Sequence, residues 1–210
     1  MPVENHTSVS TSTFTNKPTF TPPDEEASCL YSECGLEGIL GMEIFKKAFE
    51  GLSRFEPSKR IIAICDFTKP SNLERFFVID LEHSKLIAKS LVAHGKNSGI
   101  EMATSFSNKI ESLKSSLGFY KIGQRIISPK HGDALLLDGL EPGINDQARQ
   151  REIIMHAADY VNQEYIRKNG RLGRSFGCPA LPAEVLKSVL PLLEGGALLY
   201  IHGYNSGSTK

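Results

Sequence analysis

Apolar residues follow two different rhythms along this chain. In MEIFKKAFEGLSRF (42–55), Ile44, Phe45, Ala48, Phe49 and Leu52 recur at helical spacing, which predicts a helix with one stripe against the body, interrupted by Pro57. Beyond it the runs shorten. RIIAICDF (60–67), RFFVIDL (75–81) and KLIAKSLVAH (85–94) are β-branched or aromatic, and residues 82–84 join the last two as a hairpin. Shorter runs follow at 118–127 and 134–137, with Gly, Ser and Pro between them. REIIMH (151–156) predicts a strand ending on His156, and Asp159 and Gly170 punctuate a helix after it. PAEVLKSVLPLLEGG (182–196) predicts a short helix from Pro182 with Val185, Leu186 and Val189 inward, and ALLYIHG (197–203) a closing strand. Many short strands separated by turn signals predict an α+β fold: a mostly antiparallel β-sandwich or partly closed barrel with a few short helices.

Composition narrows this picture. Residues 1 to about 37 are rich in Ser, Thr and Pro and read as a flexible tail, leaving 38–210 as a single domain. Lys and Arg number 24 against 24 Asp and Glu, so the chain lacks the basic excess that marks nucleic-acid binders. No apolar run approaches the roughly 18 residues of a membrane-spanning helix. MPVENHTSVSTSTFTNKP lacks the layout of a secretory signal, an arrangement compatible with a cytosolic protein or with a signal already removed.

Four cysteines carry the candidate chemistry. Cys29 and Cys34 are close enough in sequence to bridge in an oxidising compartment or to stay unpaired, and Cys65 reads as strand core. Their spacing fits no zinc site, so no metal is expected. Cys178 differs, because GRLGRSFGCPALP (170–182) surrounds it with glycines, two arginines and a proline. A nucleophilic thiol needs help to ionise and donors for the oxyanion it creates. Gly177 permits a tight turn that aims backbone amides at that oxyanion. Arg174 is placed to lower the thiol pKa below the roughly 8.5 of a free thiol or to hold a substrate carboxylate. The general base stays open on composition alone, since six histidines compete: His6, His83, His94, His131, His156 and His202.

The run from His156 to SFGC (175–178) resembles the catalytic segment of the murein L,D-transpeptidase catalytic-domain family, the YkuD-like proteins, in a divergent branch. The resemblance extends through VAHGKNSG (92–99), SFSN (105–108), SSLGFY (115–120) and HGDALLLDGLEPGIND (131–146), and covers the chain from about Arg60 to Gly203. It implies acyl transfer on peptidoglycan stem peptides outside the cytoplasm, requiring no metal or cofactor, by a thioester at Cys178 that a neighbouring stem's amine resolves into a 3-3 crosslink. His156 would be the base, oriented by a backbone carbonyl, with Gly177 and Cys178 amides at the oxyanion and Ser175 shaping the turn. Two departures stand out: Ala157 follows the histidine, and Pro179-Ala180-Leu181 replaces an expected downstream Arg or Asn. Arg174 or Arg171 then becomes the expected carboxylate clamp, with His94, Asn108 and His131 as further substrate contacts. An L,D-carboxypeptidase, using water in place of the amine, and a non-catalytic wall-binding module are the alternatives.

Overall fold

The computed structural model describes residues 23–204. Two helices come first, α1 (Pro23–Glu33) and α2 (Met42–Phe55). The first corrects the expectation of a tail to about residue 37, whose residues 1–22 lie outside the described part. Ala27, Leu30, Tyr31 and Cys34 fall at i, i+3, i+4 and i+7 and are all buried, a helical stripe diluted by the Ser/Thr-rich residues before it. Asp24, Glu25 and Glu26 occupy the first turn, where the helix dipole favours negative charge. Tyr31 Oη donates to the Leu40 carbonyl at 2.5 Å, and its ring lies 5.7 Å from Phe45 of α2.

Helix α2 buries Phe45, Ala48, Phe49 and Gly51. A Cβ on Gly51 would stand 2.4 Å from the Phe119 ring, so its absence sets how closely the helix approaches the sheet. The helix ends where Glu56, in the left-handed region at φ 45°, donates its N–H to Leu52 O, immediately before Pro57.

Eight strands follow among the described residues: β1 (Ile61–Asp66), β2 (Phe76–Asp80), β3 (Lys85–Ser90), β4 (Gly118–Ser128), β5 (Gly132–Gly139), β6 (Ile154–Ala157), β7 (Ala180–Leu181) and β8 (Leu198–His202). They form one sheet in the order β3-β2-β1-β8-β4-β5-β6-β7, antiparallel except at β1/β8 and β6/β7. The chain leaving β3 then crosses to the far edge. Ala93 and Ala180 exchange backbone hydrogen bonds, and Gly95 pairs with Ser175. That contact nearly closes the sheet into a barrel, which agrees with the predicted α+β architecture.

Alternation along the strands sorts the core in two. Ile62 and Ile64 of β1, Phe77 and Ile79 of β2 and Leu198 and Tyr200 of β8 pack under α1 and α2. Ala63, Cys65, Phe76, Val78, Leu199 and Ile201 face the other way, into a core with Leu186, Val189, Leu190 and Leu193 of α4 (Ala183–Leu193). With both faces covered, β1 reads as one apolar run instead of alternating with polar residues. Each fully buried large side chain contributes about 1.5–3 kcal/mol.

Helix α3 (Gln163–Asn169) starts later than Asp159, because Asn162 is the residue whose side chain accepts from Tyr165 N, at 2.7 Å; Gly170 ends it in the left-handed region as expected. The strand expected from Arg151 begins only at Ile154, and the one expected to His94 stops at Ser90. Residues 151–153 instead line a cavity, whereas 91–94 run on, buried, to the bridge between Ala93 and Ala180. All four cysteines are free thiols, so Cys29 and Cys34 are unpaired. Among the described residues no helix is long and apolar enough to cross a membrane.

Candidate active site

A cavity of about 770 Å³ opens where the tip of the β4–β5 hairpin, β6 and the turn before β7 meet. Cys178 and His156 both line it. Sheet register brings them together, since His156 pairs with Ala180 across β6/β7 and its N–H reaches toward Pro179 O at 3.4 Å. His156 also pairs with Ala134 of β5, and the β4–β5 hairpin tip carries His131 over it. The two imidazoles stack with centroids 3.8 Å apart and planes 25° from parallel.

The His156 ring is oriented by one hydrogen bond. Nδ1 contacts the Ala157 carbonyl at 2.9 Å, which requires its proton there and leaves the lone pair on Nε2. Because the orienting group is a backbone carbonyl, the side chain after the histidine is free to be alanine. Burial, only partly offset by the Ala157 carbonyl and reinforced by His131 and Lys130, pushes the imidazole down to about 4. The ring is therefore neutral at physiological pH and able to accept a proton.

Cys178 is 9% exposed, and burial pushes its thiol up despite three influences that favour the thiolate: the N–H of Ile154, the cation of Arg151 and its own N–H. Its sulfur lies 3.5 Å from Ile154 N and 3.8 Å from Glu152 O. This corrects the expectation of a low thiol pKa, because desolvation outweighs the nearby charge. The resting pair is neutral thiol and neutral imidazole. Each unit separating their pKa values adds about 1.4 kcal/mol to forming a free ion pair. Proton transfer coupled to nucleophilic attack is the route such a pair allows.

The turn before Cys178 is tightly built. Ser175 Oγ donates to Cys178 O at 2.6 Å and accepts from Gly177 N at 3.1 Å. Gly177 has φ 132°, and a Cβ there would meet Lys114 O at 2.8 Å and Ile153 Cδ1 at 2.9 Å, so only glycine fits. Ser175 shapes the turn as expected. The Gly177 amide does not face the cavity as an oxyanion donor, because Ser175 already binds it, and the Cys178 N–H is the donor left at the nucleophile.

The L,D-transpeptidase catalytic domain family matches residues 37–202, most of the chain. The chain belongs to that family. No curated protein sequence matches it. Among solved structures it is similar to an L,D-transpeptidase from Mycobacterium smegmatis, at 11% identity and TM-score 0.43 over 69% of this chain and 59% of that one. It is also similar to an L,D-transpeptidase (Yku) from Stackebrandtia nassauensis, at 16% identity and TM-score 0.41 over 88% and 80%. The chain thus spans about three fifths of the length of the first of these.

Within this L,D-transpeptidase domain the other expected residues separate into two groups. His131 and Arg174 line the cavity with Cys178 and His156. Arg174 Nη1 donates to the carbonyls of Lys96 and Gly99, at 2.9 and 3.1 Å, so part of its guanidinium is a latch on that loop. His94, Asn108 and Arg171 do not line the cavity. His94 is fully buried, its Nδ1 2.7 Å from Arg75 Nη2 and its Nε2 3.3 Å from Gly99 O, and burial with the Arg75 charge pushes it down to about 3. Its backbone carbonyl nevertheless accepts from Ser175 N at 3.0 Å, a support beneath the nucleophile turn. Asn108 bonds Asp146 and Gln147 N, and Arg171 its neighbour Leu172 O. The contacts these three make here are with the protein itself, away from the cavity lining.

Arg151, Lys130 and Tyr160 are among the cavity residues that escaped sequence reading. Arg151 opens an apolar run and looks like a solvated strand end. Lys130 precedes His131 at a hairpin tip and lies 5.1 Å from the ring of exposed Phe176. Tyr160 packs where a Cβ on Gly173 would sit, 2.4 Å from its own Cβ, a close approach that the glycine spacing of GRLG hints at. Glu111, Leu113 and Glu152, all lining the cavity, take positive φ of 54–58° without being glycine. Such strain costs about 1–3 kcal/mol each and gathers where structure serves chemistry.

Proposed function

We propose that this domain is a cysteine-dependent L,D-transpeptidase acting on peptidoglycan stem peptides outside the cytoplasm. The observation that carries the reading is a buried thiol sharing a cavity with a neutral imidazole whose proton is held on Nδ1 by the Ala157 carbonyl. His156 Nε2 takes the thiol proton as Cys178 Sγ bonds to the carbonyl carbon of the diamino acid's L-centre, and the oxyanion faces the Cys178 N–H. Collapse breaks the amide bond. The proton passes from His156 to the departing D-alanine amine, leaving a thioester. The side-chain amine of a second stem, giving its proton back to His156, attacks that thioester, releases the thiol and forms the 3-3 crosslink. Lys130 and the free edge of Arg174 are the cations available for a substrate carboxylate.

The test is incubation with a purified disaccharide-tetrapeptide, products being weighed. A dimer with loss of D-alanine is the expected outcome; tripeptide monomer alone makes water the acceptor and the domain an L,D-carboxypeptidase. Exposure to a carbapenem should add one acyl mass at Cys178. A chain that turns over nothing and acquires no adduct is a wall-binding module, and the reading fails.

A further inference from the structure

Arg151 is a half-buried cation that sits between two parts of the site. Nη1 donates to Ser107 O at 2.9 Å and to Ser116 Oγ at 3.1 Å, while Nη2 donates to Lys114 O and contacts Ser112 Oγ at 3.4 Å. One guanidinium therefore ties both ends of the segment 107–116, which lacks regular structure and carries the strained Glu111 and Leu113 onto the cavity wall. The same Nη2 lies 3.1 Å from where a Cβ on Gly177 would be, against the turn that presents Cys178. That turn is joined to the segment again by Ser115 Oγ, which donates to Gly177 O at 3.0 Å. Glu152, next in the chain, carries the opposite charge and offers its carbonyl to the thiol at 3.8 Å.

We infer that Arg151 is a positioning residue that couples the order of segment 107–116 to the reactivity of Cys178 through its single guanidinium. It supplies, from the turn that precedes β6, the cation that Pro179-Ala180-Leu181 does not provide downstream of the nucleophile. A disordered segment releases the guanidinium from its anchors and with it the charge that favours the thiolate; an ordered segment holds that charge at the turn. The inference rests on Cys178 being the nucleophile but not on the identity of its substrate.

The test uses the full chain and no wall substrate. Iodoacetamide alkylation is followed against pH at the Cys178 peptide by mass spectrometry, and amide hydrogen exchange is followed over 105–117. In Arg151→Gln the alkylation midpoint should rise by about one pH unit, the lower end of what an adjacent opposite charge does, and exchange over the segment should quicken at least tenfold. Arg151→Lys should keep the midpoint nearer wild type while still loosening the segment. If Arg151→Gln does not fold, Ser112→Ala/Ser116→Ala decides, because it removes two anchors and leaves the charge in the chain: both readouts should move as for Arg151→Gln, by less. In Arg151→Gln, or in the double serine variant if that one does not fold, faster exchange with an unmoved midpoint makes Arg151 a loop staple only and overturns the inference, as does a moved midpoint with unchanged exchange. A failed tetrapeptide assay beside a moved midpoint and faster exchange would sink the transpeptidase reading and leave this one standing.

Discussion

The helix-covered face and the cavity face of the same sheet are built on opposite terms. Under α1 and α2 the side chains are Ile, Leu, Phe and Tyr in strict alternation, and burial does the organising. At the cavity the backbone is largely irregular, and order comes from hydroxyls and guanidiniums placed on carbonyls: Ser175 on Cys178, Ser115 on Gly177, Arg151 on Ser107 and Lys114, Arg174 on Lys96 and Gly99. A face held by area tolerates local loosening. One held by a few directed bonds transmits every change to its neighbours, which suits a site whose groups must keep their geometry.

Substitutions on the two faces should separate function from stability. Cys178→Ala should abolish carbapenem adduct formation entirely, with a melting temperature within a few degrees of wild type; a residual adduct would move the nucleophile elsewhere. His156→Gln should slow acylation by about 10²–10⁴-fold, the usual worth of a positioned base, as read by adduct kinetics. On the helix face, Phe45→Ala should cost about 3–5 kcal/mol in denaturant unfolding and leave the acylation rate of the folded fraction unchanged.

Acid should act on the cavity side first. His156 and His94 are pushed down to about 4 and about 3, below the 6.5 of an unfolded histidine, so the unfolded chain binds more protons. Their contribution is complete above about pH 6.5 and is lost as pH falls toward those folded values, at up to about 1.4 kcal/mol per pH unit for each. His94→Gln, if folded, should roughly halve that slope in pH-dependent unfolding, and an unchanged slope would mean that neither buried imidazole governs acid stability. The smallest effect should come from Lys130→Gln, a few-fold rise in KM with kcat nearly kept, measured on tetrapeptide substrate.

The same contrast decided what could be read from the amino acids alone. Strand and helix runs such as 60–67, 75–81 and 182–193 were legible because burial leaves a periodic trace, and α1 was missed because its stripe of four apolar residues sits beside a polar stretch. Cys178 and Ser175-Gly177 were legible as a turn, since only glycine and a short hydroxyl fit there. His156 became distinguishable from five other histidines only through family resemblance, because strand register, not local sequence, brings it to the thiol. Arg151 left no trace at all: its partners at 107, 112, 114 and 116 lie across the fold, and nothing adjacent to it in the chain records them. Desolvation of the thiol was hidden for the same reason, as polar, flexible neighbours in sequence suggested an open loop.

The position of β8 has a consequence for how the molecule comes into being. Leu198–His202 lies between β1 and β4 and is their only bridge within the sheet order. Until those residues emerge, a growing chain can join its two half-sheets only at the opposite seam, where Ala93 meets Ala180 and Gly95 meets Ser175. Synthesis has to run nearly to the end of the described chain before the second seam of the sheet can close.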